Sequence, residues 1–530
     1  MSAKGRPMTL RRHACAVLLV LGAALGCPEA HAAPAGVVEG RAAPPQAGGK
    51  AFTPVNAPPD DPRSLRFAPL VLSLRSPETL RLKNGLVVYL LRDTELPIVD
   101  LAFYLRGGAI YDPADRAGLA VLATHLIRTG GTQGMPPDLV DETLESLPAT
   151  LSIDAGGDAL SGRLSCLKDR FPEALVILSA MLREPRFDAA RLEVEKASIV
   201  EEIRRRWDDP ATIADLTFRL LVYGPASPWA RLETIESVGR VDRDDLLEFH
   251  RRYIRPGNAI LAVSGDFETE EMKRRLKEAF GGWQGARAAL PPVPKVEDAV
   301  PVGVHLVTRP LTQSSIILGH LGATRFDPDK FPLFVLNDIL GEGGFTSRLM
   351  KEVRSTRGLA YSVSGGVGSD SDRGLFEITC RTRADATVQA IEAIRDVVRR
   401  LRDEGPTEEE MRRSKDAQLN SFAFTVDGTA PYMRAYLFYR YYGYPEDYLQ
   451  TWRDRLAGVG RDDVLRAARR FLHPDRLAVL VVGNPESFDR PLEALGLGAP
   501  RVIRLGDAGA PPEAAPDSSA PPAPPAAPSR

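Results

Sequence analysis

The chain has 530 residues, of which 44% are hydrophobic and 26% charged, and a formal net charge of −2. That length exceeds one typical core, so two or more globular domains are expected. The near-neutral balance and the lack of a basic run argue against nucleic acid as a partner and against an electrostatic membrane patch.

In chain order, residues 1–32 read as a cleavable export signal. Lys4, Arg6, Arg11 and Arg12 precede an apolar run from Ala14 to Leu25, and Ala30-His31-Ala32 has the small-x-small form of a cleavage site. The run is shorter than the about 20 residues a membrane span needs. The mature chain is therefore expected to start near Ala33 and to be periplasmic or secreted. A lipoprotein anchored through Cys27 is the alternative, and Ala24 fits that motif poorly. Residues 33–75, rich in Pro, Ala and Gly, read as a loosely ordered lead-in. Residues 506–530, almost wholly Pro, Ala and Ser, read as a disordered tail.

Next come two strands in LKNGLVVYLLRDTELPIVDLAFYLRGG, and then a helix over 118–129 with apolar residues at 119, 122 and 126. Asp188 is placed to cap a helix that runs to Trp207 and stops at Asp208-Asp209-Pro210. Strands in runs with helices between them indicate an α+β fold, a mostly antiparallel sheet with helices on one face. DDLLEFHRRYIRPGNAILAVSGD from Asp244 and DDVLRAARRFLHPDRLAVLVVGN from Asp462 match as helix, proline break and apolar strand. Asp112-Pro113 recurs as Asp327-Pro328, and Cys166 as Cys380, so the domain is duplicated. The expected units are 76–285 and 301–505, joined by a linker at 286–300. Cys166 and Cys380 sit in alternating apolar patterns, the ordinary place for a buried thiol, and no disulfide is expected between them.

Residues 118–132, GLAVLATHLIRTGGT, carry the chemistry in damaged form. A helical HxxEH places two imidazoles one turn apart to hold zinc, with a glutamate between them as general base. Aligned on the flanking Gly-Leu-Ala and Gly-Thr, this chain has Val121 for the first histidine, Thr124 for the glutamate and His125 intact. It thus resembles the peptidase M16 family, the insulinase or mitochondrial-processing-peptidase type, and within it members lacking the metal site. The resemblance implies two M16-type domains across about residues 76–505. It also puts the third zinc ligand at Glu202, with Glu195 seven residues earlier on the same helical face, and Ser152-Ile153 where the family has a peptide-contacting Asn-Ala pair on an edge strand. His125, His250, His305, His320 and His473 are the only histidines beyond the signal, and no two have i,i+4 spacing. His125 and Glu202 are therefore read as relics with structural roles, Glu202 pairing with Arg206 one turn on.

LGEGGFTSRLMKEVRSTRGLAYSVSGG, from Leu340 to Gly366, resembles the signature of the family's C-terminal domain: a glycine-rich loop, a helix carrying SRL, and an Arg and Tyr seven apart, here Arg354 and Tyr361. The resemblance implies that these two donate hydrogen bonds near the scissile carbonyl of a peptide held at zinc on another domain. Gly341, Gly343 and Gly344 would permit a tight turn or the backbone approach of a peptide, with Gly343 and Gly344 as substrate contacts. The expected function is a non-catalytic subunit of an exported M16-type zinc peptidase. It would hold no cofactor itself, and its partners would be an HxxEH-bearing, zinc-binding chain and an unfolded peptide. A self-sufficient zinc metallopeptidase with atypical ligands and a purely structural or peptide-binding module are the alternatives.

Overall fold

The computed structural model describes residues 74–298 and 300–506, together with the backbone of 513–514. The export signal, Cys27 and nearly all of the lead-in and tail lie outside the described residues. The first half opens with β1 (Glu78–Arg81), β2 (Val87–Arg92) and β3 (Ile98–Arg106), then helices α1 (Leu119–Thr129) and α2 (Pro137–Ser146). After the hairpin β4 (Ala149–Ala155) and β5 (Ala159–Leu167) come α3 (Phe171–Arg183), α4 (Ala189–Arg205), α5 (Pro210–Tyr223), α6 (Ile235–Arg240) and α7 (Arg243–Tyr253). Strand β6 (Ala259–Gly265) and α8 (Thr269–Phe280) complete it.

The second half contains β7 (Gly303–Thr308), β8 (Gln313–Leu321), β9 (Ala323–Thr324), α9 (Lys330–Asn337), β10 (Ala360–Val367), β11 (Ser369–Asp370) and β12 (Leu375–Arg383). Helices α10 (Thr387–Glu404), α11 (Glu408–Val426), α12 (Thr429–Tyr441), α13 (Tyr448–Ala457) and α14 (Arg461–Phe471) follow, then β13 (Ala478–Gly483), β14 (Arg501–Arg504) and β15 (Glu513–Ala514).

The two sheets share one topology. The first runs β1-β2-β6-β3-β5-β4, and the second β10-β12-β8-β13-β7-β14-β15. Read from the other end, the second places β7, β13, β8, β12 and β10 where the first has β2, β6, β3, β5 and β4. In each, one internal pair is parallel, β2 with β6 and β7 with β13, while the remaining matched pairs are antiparallel. Each half is thus α+β with a mostly antiparallel sheet. The halves differ at the outer edge. The strand beside β2 comes from the preceding chain and runs antiparallel to it, whereas the strand beside β7 comes from the following chain and runs parallel. Cys166 and Cys380 occupy the equivalent strands β5 and β12 as buried free thiols, and burial pushes them up to about 11 and about 12.

Alternation along β3 shows how both sheet faces are used. Val99, Leu101, Phe103 and Leu105 are buried against α1, α3, α7 and α8 of the same half. The opposite face, with Ala102 and Tyr104, packs instead under α12 of the second half. Tyr104 stacks on Tyr441 with ring centroids 5.0 Å apart, and Tyr89 meets Tyr436 edge-on at 5.2 Å. Conversely, α5 of the first half lies across β8 and β13, where Ile213, Ala214 and Phe218 share a core with Ile317, Leu480 and Val482. The expectation of helices on one face holds for each half's own helices, and the second face is closed by a helix exchanged between halves. That exchange was hidden in the sequence because α12 adds Met433, Leu437, Phe438 and Tyr441 to the face of Tyr432, Tyr436 and Tyr439, so apolar and aromatic residues surround it and no narrow apolar stripe shows.

A buried ion cluster locks the exchange. Arg325 reaches Asp158 of the first half at 3.3 Å and Asp370 at 3.1 Å, and its guanidinium lies 3.6 Å from the ring centroid of Tyr442. Tyr442 donates to Asp158 Oδ1 at 2.8 Å, Ser371 donates to Oδ2, and Tyr441 donates to the carbonyls of Leu105 and Asp158. Removing Arg325 leaves two partly buried carboxylates with hydrogen-bond donors but no counter-charge, at a cost of about 2 kcal/mol. Arg325→Ala should therefore shift the denaturant midpoint downward while both halves still unfold in one transition. The check is to follow the melt with fluorescence and circular dichroism together and ask whether the two curves coincide.

Candidate functional site

The first-half site is built on α1. Its entry is fixed by Asp112, whose carboxylate accepts from the backbone N–H groups of Gly118 and Ala120 at 3.1 Å, and burial pushes that carboxyl up to about 7. The repeated Asp327 does a related job, accepting from Asp329 N–H at 2.9 Å and pairing with Arg470 at 3.0 Å.

Along α1, Val121 is half-buried against the core and offers no lone pair. Thr124 is fully buried, and its hydroxyl donates to the carbonyls of Ala120 and Val121, both at 3.0 Å. His125 faces outward with its Nδ1 3.4 Å from Glu195 Oε2 on α4, and the other carboxylate oxygen accepts from Thr129 at 3.1 Å. The register of α4 is set by Asp188, whose side chain caps Ala190 and Arg191 N–H. The hydrogen bond that His125 donates to Glu195 raises the His125 pKa above its ordinary value against the opposing effect of burial, with Glu202 and Asp154 adding to the rise. Glu195 is lowered in turn by His125.

Glu202 is exposed on the same helix. Its expected pairing with Arg206 does not form. At the end of α4 the Arg206 side chain turns onto the loop before α6, where it donates to the Glu233 carbonyl at 2.7 Å and meets the Glu233 carboxylate at 3.4 Å. Sequence spacing along a helix could not reveal a competitor that tertiary folding brings in.

This donor set does not fit a catalytic zinc, which takes three protein ligands and leaves one position for water. His125 is held by Glu195, Thr124 bonds its own helix, and Val121 cannot donate. Among the described residues no group of three or more His, Cys, Asp or Glu side chains is arranged to hold a metal. Beside α1 lies β4, the open edge of its sheet, with Ser152 exposed and Ile153 buried.

In the second half the glycine-rich segment takes wide turns where an ordinary helix is predicted. Residues Asp338–Glu342 and Met350–Thr356 are π-helical, with Gly343 N–H bonding the Asp338 carbonyl at 2.9 Å and Arg357 N–H the Glu352 carbonyl at 3.2 Å. Gly341 lets β10 approach, since a Cβ there would lie 2.4 Å from the Gly365 carbonyl oxygen. Gly344 takes the left-handed turn, with φ +58°. Gly341 thus serves the chain's own packing, while Gly343 and Gly344 form the turn that leads into Phe345, with open space around Gly344.

Arg354 lies in the last turn before Gly358, and Tyr361 is the second residue of β10, the open edge of the second sheet. The guanidinium is 5.0 Å from the Phe345 ring centroid and 5.8 Å from that of Tyr361, and these rings are 70% and 76% exposed. No carboxylate among the described residues pairs with Arg354, so its N–H donors and the Tyr361 hydroxyl are available to a ligand. Phe345 was missed in the sequence, although a lone aromatic inside a glycine-rich loop was the signal for it.

Comparison with known proteins agrees with this fold. The model for "Insulinase (Peptidase family M16)" matches residues 87–220, and that for "Peptidase M16 inactive domain" matches residues 240–418. A Streptomyces coelicolor protein named an uncharacterized zinc protease is 28% identical over 347 residues, covering 61% of this chain and 74% of the relative. A Helicobacter pylori protein named a non-peptidase homolog is 22% identical over 392 residues, covering 73% of this chain and 90% of the relative. Among solved structures, a peptidase M16 inactive domain from Pseudomonas fluorescens superposes with a TM-score of 0.71 at 24% identity, covering 77% of this chain and 98% of that one. A Helicobacter pylori protease does so at 0.70 and 17% identity, covering 77% and 100%.

The His125 and Glu195 pair has a definite pH signature. A raised histidine pKa stabilises the fold fully below the unfolded value of about 6.5 and is lost as pH rises through the folded value. Glu195, being lowered, contributes above its unfolded value and is lost as pH falls through its folded one. In NMR titrations of the histidine ring protons, Glu195→Gln should move the His125 midpoint down, and an unchanged midpoint would show that the pair does not form. Glu202 on α4 lies near enough to His125 to raise its pKa, so Val121→His, which supplies a donor one turn from His125, brings a third potential zinc ligand to this pair. That variant should retain zinc after dialysis as measured by metal analysis, whereas the parent should not.

Proposed function

Since the chain belongs to the peptidase M16 family, we propose that it is the non-catalytic subunit of an exported M16-type zinc peptidase, contributing Arg354 and Tyr361 to a partner chain that bears HxxEH and hydrolyses peptides. The observation that carries this reading is the contrast between the two copies. In one, Val121 is apolar, Thr124 and His125 are bonded to the chain's own fold, and Glu202 is left as a single exposed carboxylate. In the other, a guanidinium is held between two exposed rings with its donors free. The name of the Helicobacter pylori relative, a non-peptidase homolog, points the same way.

Zinc held by the partner chain would activate the hydrolytic water. Arg354 and Tyr361 then aim N–H and O–H donors at the carbonyl oxygen of the scissile bond, where charge builds as the carbon becomes tetrahedral. Phe345 and Tyr361 restrict the guanidinium by cation–π contact, so less ordering is needed when substrate arrives. The open edges β4 and β10 offer main-chain groups to an extended peptide, with Ser152, Gly343 and Gly344 as neighbouring contacts.

In the reconstituted pair, neither chain alone should cut an unfolded peptide and the mixture should. Arg354→Ala should lower the pair's kcat by about 100-fold, the scale of one lost oxyanion donor, with a smaller fall for Tyr361→Phe and heterodimer formation unchanged. Undiminished kcat would favour a purely structural subunit. Chelator-sensitive hydrolysis by this chain alone would favour a self-sufficient zinc enzyme.

A further inference from the structure

A cavity of about 670 Å³ lies at the junction of the two halves, away from the elements that carry His125 and Arg354. Its wall brings together Arg81 and Lys83 of the β1–β2 turn, Arg106 at the end of β3, Arg287 of the linker and Arg440 near the end of α12, and no aspartate or glutamate lines it. Arg440 meets Glu446 at 3.2 Å. The other four have no ion pair among the described residues, in a protein whose arginines are mostly paired.

Specific contacts hold these cations around one space. Asn84 donates to the carbonyls of Phe280 at 2.7 Å and Trp283 at 3.0 Å, fixing the β1–β2 turn against the end of α8. The buried Asn258 accepts from Ala288 N–H at 3.0 Å and so holds the linker in place. Gly257 admits that linker, because a Cβ there would lie 2.3 Å from Arg287 N. Tyr441 and Tyr442, bonded to the first half as described above, fix the end of α12 that carries Arg440.

Like charges gathered around one cavity repel one another even where solvent screens them, and an entering anion relieves that repulsion. Guanidinium groups suit the planar, multidentate oxygens of phosphate. A peptide is a poorer match, because β2 and β6 in this wall are paired on both sides and only the four-residue β1 keeps an outer edge. From this geometry we infer that the junction cavity binds a compact polyanion with clustered phosphate groups, free or as a lipid headgroup. Because it depends on neither Arg354 nor a partner chain, this site stands or falls separately from the subunit role.

Calorimetric titration of the full chain with tripolyphosphate tests it. Saturable binding that weakens with salt is expected, and Arg81→Ala/Lys83→Ala/Arg287→Ala should weaken it at least about ten-fold. These three side chains are exposed, so the fold should be retained, as circular dichroism would verify. The control Arg274→Ala/Arg275→Ala/Arg412→Ala, on outer helices, should bind like the parent. Sedimentation with phosphatidylglycerol vesicles identifies the source: binding to vesicles and not to tripolyphosphate assigns the site to lipid headgroups. Absence of binding to both, equal binding by the two triple variants, or tighter binding of poly-glutamate than of tripolyphosphate would overturn the proposal.

Discussion

Each sheet has two faces to bury, and each half supplies from its own helices the cover for only one. The exchange of α5 and α12 resolves this shortage. The same element of each copy crosses to close the other copy's sheet, and the Asp158, Arg325 and Asp370 cluster fixes the crossing. Neither half is a complete folding unit in the sense of having its own fully covered core. The junction between halves is consequently continuous with the interior, with residues of both halves sharing single cores.

Much of this architecture was legible in the sequence. The recurrence of Asp112-Pro113 as Asp327-Pro328, the alternation around Cys166 and Cys380, and the capping Asp188 are local signals, set by period and by backbone hydrogen bonding. What was not legible depended on contacts across the chain. The exchange is invisible because a tyrosine-rich helix buries rings on several sides and so shows no amphipathic stripe. The π-turns depend on how closely Gly341 can meet Gly365, which no one-dimensional pattern records. The turn of Arg206 toward Glu233 followed from a loop that residue spacing along α4 could not include.

The two copies have diverged in chemistry while keeping one topology. Around α1 the polar side chains serve the structure: Thr124 bonds its own helix, and His125 joins α1 to α4 through Glu195. Around β10, Arg354 has stayed out of any such bond, held by rings that leave its donors open. Loss in one copy and retention in the other cost the fold little, because the residues concerned lie on the helices and edges of the sheets and not in the exchanged elements that hold the halves together.

The crossing of α5 and α12 also decides what a protease could do to this molecule. A cut in the connection between α8 and β7 would sever the backbone without releasing either piece, since each would still be threaded through the other by a buried helix. The nicked protein would migrate as one particle and separate only on denaturation. For such a chain, covalent continuity matters during assembly and is dispensable afterwards.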